Sequence, residues 1–264
     1  MIDWMKLRYL YLAFSLLIII PGAISLARFG LKLSIDFTGG SVLTLSDSTI
    51  IREKDMTQLQ ADEIVSKLRE KNQDLKLVSF ETLGPSLGQE TIKKTIYAVL
   101  LASGLILIHI TRAFKQLKFG VCALLAMLHD SLVLLGIFSL LGHFFAVETD
   151  LLFVTATLTV LSFSVHDTIV VYDRIRELQK HHSNESVYDL ANQAVSETMI
   201  RSLNNSLTII FMLLALFLLG GVSTRFFALA LLIGTISGSY SSPFTAVPLL
   251  VIWDDLRKSR GRTS

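Results

Sequence analysis

The chain has 264 residues, of which 52% are hydrophobic and 17% charged, with a mean hydropathy of +0.57. That balance excludes an ordinary soluble domain and indicates an integral membrane protein. A formal net charge of +2 gives no reason to invoke nucleic acid as a partner. The single cysteine, Cys122, excludes an intrachain disulfide and a cysteine metal cluster.

Runs of about 18 or more apolar residues predict six transmembrane helices, near 9–29, 94–112, 119–141, 151–173, 203–220 and 226–252. The first follows Lys6 and Arg8 as a signal peptide would, but its length favours a retained span. Between the first two spans, residues 30–91 are polar enough for a small domain. There "GGSVLTLS" alternates as a strand, "TQLQADEIVSKLREK" carries Leu59, Ile64, Val65 and Leu68 as a helical stripe, and "LKLVSF" reads as a second strand. The predicted unit is β-α-β, too small to build a large core alone, so a partner is expected to cover it.

Further on, "RAFKQLK" links the second span to the third, and the third holds His129 and Asp130 in "MLHDS". The fourth holds His166 and Asp167, with Thr155, Thr159, Ser162 and His166 at helical spacing as a polar face. That face is expected to line a helix interface or a hydrated path rather than lipid. Residues 174–201 are polar enough for one or two amphipathic helices outside the membrane. "RSLNNSLT" opens the fifth span with Arg201 at its mouth, and the sixth carries Gly234 and Gly238 at small-xxx-small spacing ahead of Pro243. The glycines predict close helix approach and the proline a kink.

Lys and Arg concentrate in the N-terminus, in "RAFKQLK", in 174–201 and in the terminal "RKSRGR". The opposite short loops, "GHFFAVETD" and "GGVSTR", hold one basic residue, Arg225. The positive-inside rule therefore places both termini in the cytoplasm. The expected fold is a polytopic α-helical membrane protein with six transmembrane helices and a small α/β extracytoplasmic domain between helices 1 and 2. Its parts are 1–29 (cytoplasmic N-terminus and first span), 30–91 (the domain), 92–252 (the other five spans, with cytoplasmic loop 174–201) and 253–264 (a cytoplasmic tail).

An ionised group at the bilayer centre costs about 2.5–3.5 kcal/mol even on insertion scales, so acids placed there point to function. Asp167 is the first candidate for proton transfer and Asp130 the second. Arg201 is the expected electrostatic partner of Asp167, and His166 is a relay candidate because histidine as a residue type changes charge near neutral pH. The bland alternatives are a hydrogen bond between helices for the polar side chains and a topology anchor for Arg201. No Walker A, HExxH, nucleophile-elbow or dinucleotide motif occurs, so neither a cofactor nor a metal is expected. The membrane potential is then the available energy source.

In order along the chain, "SIDFTGG", "LGPSLGQE", "ALLAMLHD", "SVHDTIVVYDRIRE", "RSLNNSLT" and "FALALLIGTISGSYSSPF" resemble the SecF family of bacterial protein-export membrane subunits, within the resistance-nodulation-division superfamily. The resemblance implies a SecD partner with six equivalent helices and a role beside the SecYEG channel. It also implies an indirect link to the SecA ATPase and proton-driven assistance to unfolded polypeptide crossing the bacterial cell membrane. By position it assigns the proton path to Asp167 and Arg201, with Asp130 on a further family motif. His166 departs from the pattern, which more often has Asn there. Two other readings stay open: a scaffold joining SecD to the channel without moving protons, and half of a small-molecule exporter of the same superfamily.

Overall fold

The structure, a computed structural model, describes residues 2–46, 50–54, 56–69, 76–182 and 185–261. After a 3-10 turn at Trp4–Leu7, the helices are α1 (Arg8–Phe29), α2 (Ile35–Thr38), α3 (Gln58–Arg69), α4 (Pro85–Phe114), α5 (Leu117–Phe145), α6 (Leu151–His181), α7 (Val187–Leu219), α8 (Val222–Ser241) and α9 (Val247–Gly261). The strands are β1 (Gly40–Leu45), β2 (Ile50–Glu53) and β3 (Leu77–Leu83). Among the described residues, six helical segments are long and apolar enough to cross a membrane, the last formed by α8, a π turn and α9 in sequence.

Within the bundle, α5, α6 and the α8–α9 segment are central, whereas α1, α4 and α7 expose long apolar faces such as Leu16, Leu100 and Phe211. Apolar side chains gain little by leaving lipid for protein, so close helix contact here depends on small residues and polar links. The crossing of α1 and α5 illustrates this. A Cβ built on Gly136 would lie 2.5 Å from the Gly22 Cα, so the two backbones touch. The hydroxyls of Ser25 and Ser139 bond across the same crossing at 2.8 Å.

The β domain is one antiparallel sheet in the order β2-β1-β3, with α3 against one face. Leu43 and Leu45 of β1 meet Met56, Ala61 and Val65 in its core. The chain is thus β-β-α-β where β-α-β was expected. The strand "IIRE" is only four residues long and carries no clear alternation, so hairpin pairing with β1 defines it rather than its own pattern. The far end of the predicted helix and the first residue of "LKLVSF" fall in 70–75, outside the described residues.

Two other boundaries differ from expectation. Helix α4 begins at Pro85, well before the apolar run, because proline suits the first turn and "QETIKK" continues the helix with an i,i+4 pair, Glu90 to Lys94 at 2.7 Å. The stretch 174–201 is helical, as expected, but its helices are continuous with the neighbouring spans: α6 runs on to His181 and α7 starts at Val187. Asp173 with Arg176, Arg174 with Glu177, and Arg174 with Glu197 let both helices continue as charged, mutually paired extensions.

At this end of the bundle the N-terminus docks on α7. Met5 is fully buried, its amide bonding Asn192 Oδ1 at 2.8 Å, and Trp4 Nε1 donates to Ser196. The Asp3 carboxylate accepts from Tyr188 Oη at 2.6 Å and Asn192 Nδ2 at 3.0 Å.

Two outcomes follow from these contacts. Gly136→Val is expected to lower the stability of the purified chain by about 1–3 kcal/mol through overpacking against Gly22, read by thermal unfolding in detergent. The Tyr188 hydroxyl above all, with Asn192 and the Lys6 amide adding to it, holds Asp3 below the usual carboxylate range against the opposing effect of desolvation, which is second in size. A carboxyl lowered on folding stabilises fully above its unfolded value and loses that contribution as pH falls through its folded value. Wild type should therefore melt above Asp3→Asn at neutral pH, with the gap closing in acid below the ordinary aspartate range.

Candidate functional site

The two intramembrane acids occupy different surroundings. Asp130 on α5 is completely buried. Its carboxyl group accepts from Ser237 Oγ at 2.6 Å on one oxygen and from Ser241 Oγ at 2.6 Å on the other, with His129 Nδ1 2.9 Å away. Ser237 and Ser241 stand four residues apart on α8, so one helix face presents both hydroxyls to the same acid. These serines were not singled out in the sequence, although the polar centre of the last span is the signal that marks them. Among the described residues, His129 Nε2 is buried without a partner, as is Ser164 Oγ on α6.

Helix α8 then gives way to a π turn at Ser242–Ala246, which contains Pro243. A proline inside a helix removes one donor and crowds the preceding turn, and a wider turn is one way to accommodate both effects. Neighbouring groups take up the carbonyls around the turn. Ser242 Oγ lies 3.1 Å from the Gly238 carbonyl and 3.3 Å from that of Ser164, the Thr168 and Ser242 hydroxyls meet at 3.0 Å, and Tyr172 Oη donates to the Ala246 carbonyl at 2.9 Å. The result is a polar seam between α6 and the last span, beside Asp167. Gly234 and Gly238 make the seam possible. A Cβ on Gly234 would lie 2.0 Å from Val160 Cγ2, and one on Gly238 would lie 3.3 Å from the Ser164 Cα.

Asp167 is 8% exposed and has a looser environment than Asp130. Ser206 Oγ on α7 approaches its Oδ2 at 3.5 Å, the outer limit of a hydrogen bond. The carboxyl borders a cleft of about 10 Å³ lined by Phe163, Asn205, Ser206, Ile209, Thr235, Gly238 and Ser239, at the lower limit of space for one water. One turn further toward the termini, a vestibule of about 420 Å³ opens between α6 and α7. Ile169, Val170 and Thr198 line it together with Asp173, Arg174, Glu177, Glu197 and Arg201.

The expected pair of Asp167 with Arg201 is not made in this conformation. Arg201 is exposed in the vestibule, and among the described residues it forms no ion pair with Asp167. Five residues of helix place it about 7.5 Å nearer the termini than Ser206, and about 140° around α7. His166 also parts from its neighbour. Consecutive helical residues point about 100° apart, so Asp167 turns inward while His166 turns outward and is exposed. Thr155 and Ser162 share the exposed outer side of α6, with Thr159 half-buried between them. Thr155 and Thr159 return their hydroxyls to the carbonyls four residues earlier, at 3.0 and 2.7 Å. Among the described residues, no three His, Cys, Asp or Glu side chains are grouped to hold a metal ion.

Comparison with known proteins gives two family matches. Residues 63–256 match the model described as protein export membrane protein SecD/SecF, C-terminal, and residues 24–46 match the SecD/SecF GG motif. The chain is 42% identical to protein translocase subunit SecF of Thermobaculum terrenum, over 97% of this chain and 95% of that one. It is 36% identical to the SecF of Synechocystis, over 91% and 74%. Protein translocase subunit SecDF of Thermus thermophilus is 33% identical over 96% of this chain and 38% of its own length. The crystal structure of SecDF from the same genus, described as a translocon-associated membrane protein, superposes with a TM-score of 0.85 at 30% identity, covering 96% of this chain. The chain spans about two-fifths of that solved protein, 39% of its length.

The Asp130 cluster should behave as a structural unit. Ser237→Ala and Ser241→Ala are each expected to lower thermal stability in detergent by about 1 kcal/mol, because each leaves a buried carboxyl oxygen short of a donor. Their double variant should depart from additivity, since both act on one carboxyl group.

Proposed function

We propose a function from the premise that this chain belongs to the SecD/SecF family of protein export membrane proteins. It acts as an auxiliary subunit of protein export that joins SecD to form a proton-driven unit beside the SecYEG channel, after SecA has supplied ATP-driven pushing. The observation that carries this reading is the loosely held acid. Asp167 is buried beside a cleft of about water size and, among the described residues, its carboxyl group has one hydrogen-bond partner, Ser206 at the limit of bonding distance, one helical turn from a charged vestibule. A carboxyl so placed can exchange a proton and change partners, whereas Asp130 is already held by two serines at 2.6 Å.

The working cycle has two conformations. In the one described, Asp167 faces the cleft and Arg201 stands in the vestibule. In the other, a small rotation or slide of α7 against α6 brings the arginine to the deprotonated acid. Protons shift this balance only if they bind the two conformations with different affinity, which an acid that is free in one and paired in the other achieves. A charge crossing the full membrane potential supplies about 2.3 kcal/mol per 100 mV. Without an ATP motif in the sequence, this is the energy source open to the chain.

In this reading the unit lies in the bacterial cell membrane with both termini and the vestibule in the cytoplasm and the β domain outside. SecD covers the exposed polar side of α6, where Ser162 and His166 otherwise face lipid. Asp130 leaves the proton path and becomes the structural acid that holds the last span. The scaffold reading keeps the same partner but makes Asp167 inert.

Asp167→Asn separates the two readings. Export stimulated by a proton gradient, measured in membrane vesicles containing the SecD complex, should fall at least about tenfold while the amount of complex is unchanged. Full stimulation in that variant would contradict the proton-driven role.

A further inference from the structure

Helix α6 carries Asp167, and its far end is tied to the root of the β domain by bonds from the segment 32–36, which lies within the matched GG-motif residues 24–46. The segment after α1 runs beside the loop before α6: Ser34 N donates to the Thr149 carbonyl at 2.9 Å, and Thr149 N donates to that of Lys32 at 2.8 Å. One turn on, the Asp36 carboxylate accepts from the backbone N–H of Leu151 at 2.9 Å. Leu151 is the first residue of α6, and Asp150 bonds the Phe153 amide of the same turn at 2.7 Å. Two side chains thus serve amides that the helix itself leaves free, one local and one from 115 residues earlier in the chain.

The segment bearing Asp36 is itself rigid. Ser34 Oγ accepts from the Asp36 amide at 3.2 Å, Thr38 Oγ1 returns to the Ser34 carbonyl at 3.0 Å, and Ile35 and Phe37 are buried. Helix α4 closes on it, since a Cβ on Gly88 would lie 2.5 Å from the Phe37 carbonyl oxygen. Gly40, with φ at 118°, then turns the chain straight into β1. From the same side, Arg52 of β2 forms an ion pair with Glu148, two residues before Asp150. No slack residue separates Asp36 from the sheet other than the Thr38–Gly39 turn.

We propose that Asp36 is a positioning residue: its bond to the Leu151 amide couples the start of α6 to the root of the β domain, so that movement of α6 is handed to the domain. About 24 Å of helix separates Leu151 from Asp167, and a continuous helix transmits an axial shift over that length. The proposal rests on the reading of Asp167 above for what moves α6, but the joint is tested separately.

The bond can be removed from either side. Asp36→Ala removes the acceptor. Leu151→Pro removes the donor while keeping a residue suited to the first helical position, and Asp150 already has the extended backbone that precedes proline, φ −117° and ψ −172°. Asp36→Asn keeps an oxygen acceptor. Measured in vesicles with the full SecD complex, Asp36→Ala and Leu151→Pro are each expected to reduce gradient-driven export about fivefold. Their double variant should fall no further, and Asp36→Asn should keep at least about half of wild-type export, as rescue by a surviving acceptor requires. Hydrogen-exchange protection of β1 and β3, and the amount of complex, should be unchanged, which a merely structural role would not leave intact. Should Asp36→Ala fail to assemble, Leu151→Pro carries the test. Wild-type export in Leu151→Pro, or multiplicative losses in the double variant, would overturn the proposal. If Asp167→Asn exports normally while this series behaves as described, the proton reading falls and the Asp36 joint stands.

Discussion

A carboxyl group held within hydrocarbon must find its hydrogen bonds in protein, and the bundle is arranged around that requirement. Asp130 finds its donors in Ser237 and Ser241 on the last span, so α5 and α8 must lie together. For α8 to reach α6 on another side, Gly234 must be bare, because Val160 occupies the space of any side chain there, and at Gly238 the Ser164 backbone leaves only a tight fit. The π turn at Pro243 completes the arrangement, since Thr168, Tyr172 and Ser242 take up carbonyls on both sides of the seam. Hydrophobic burial alone specifies little of this, because lipid receives apolar side chains as readily as protein does.

Against that well-bonded core, Asp167 is the exception. It lies on the same seam but has one distant hydroxyl and a small cleft, and a charged vestibule begins a turn away. The two acids thus differ in how firmly they are held: two serine hydroxyls at 2.6 Å for Asp130, one at 3.5 Å for Asp167. The β domain extends the same logic beyond the membrane. Its sheet grows directly from a segment bonded to the first turn of α6, and the ion pair of Arg52 with Glu148 adds a second tie to the loop before that helix. Helix α6 is therefore anchored at one end to the domain and at the other, through Arg174 and Glu197, to the extension of α7.

Much of this could be read from the residues. Long apolar runs mark the six spans because hydrocarbon thickness leaves little freedom of length. Glycine spacing and Pro243 marked the last span as a close-packing, interrupted helix, and acids inside apolar runs marked Asp130 and Asp167. What escaped was azimuth and neighbourhood. Asp167 and Arg201 both lie on the same side of the membrane centre in sequence, but which face of α7 meets α6 is set by packing, and it is the Ser206 face. His166 and Asp167 look equivalent as a dipeptide, whereas a helix sends them to different sides. Boundaries moved where charge was taken to end a span: "QETIKK" and "RIRELQ" are continuous with the membrane helices α4 and α6 because their charges pair along and between them. The Asp36 bond was invisible because it joins residues 115 positions apart through a backbone amide, which has no sequence signature.

The central claim is that Asp167 changes its protonation and partner during work. Difference infrared spectroscopy of the reconstituted SecD complex, recorded with and without an imposed proton gradient, observes the carboxyl group itself. The account predicts a carboxyl stretching band that appears or shifts on imposing the gradient and is absent in Asp167→Asn. A difference spectrum in the carboxyl region that is the same in wild type and in Asp167→Asn would contradict it.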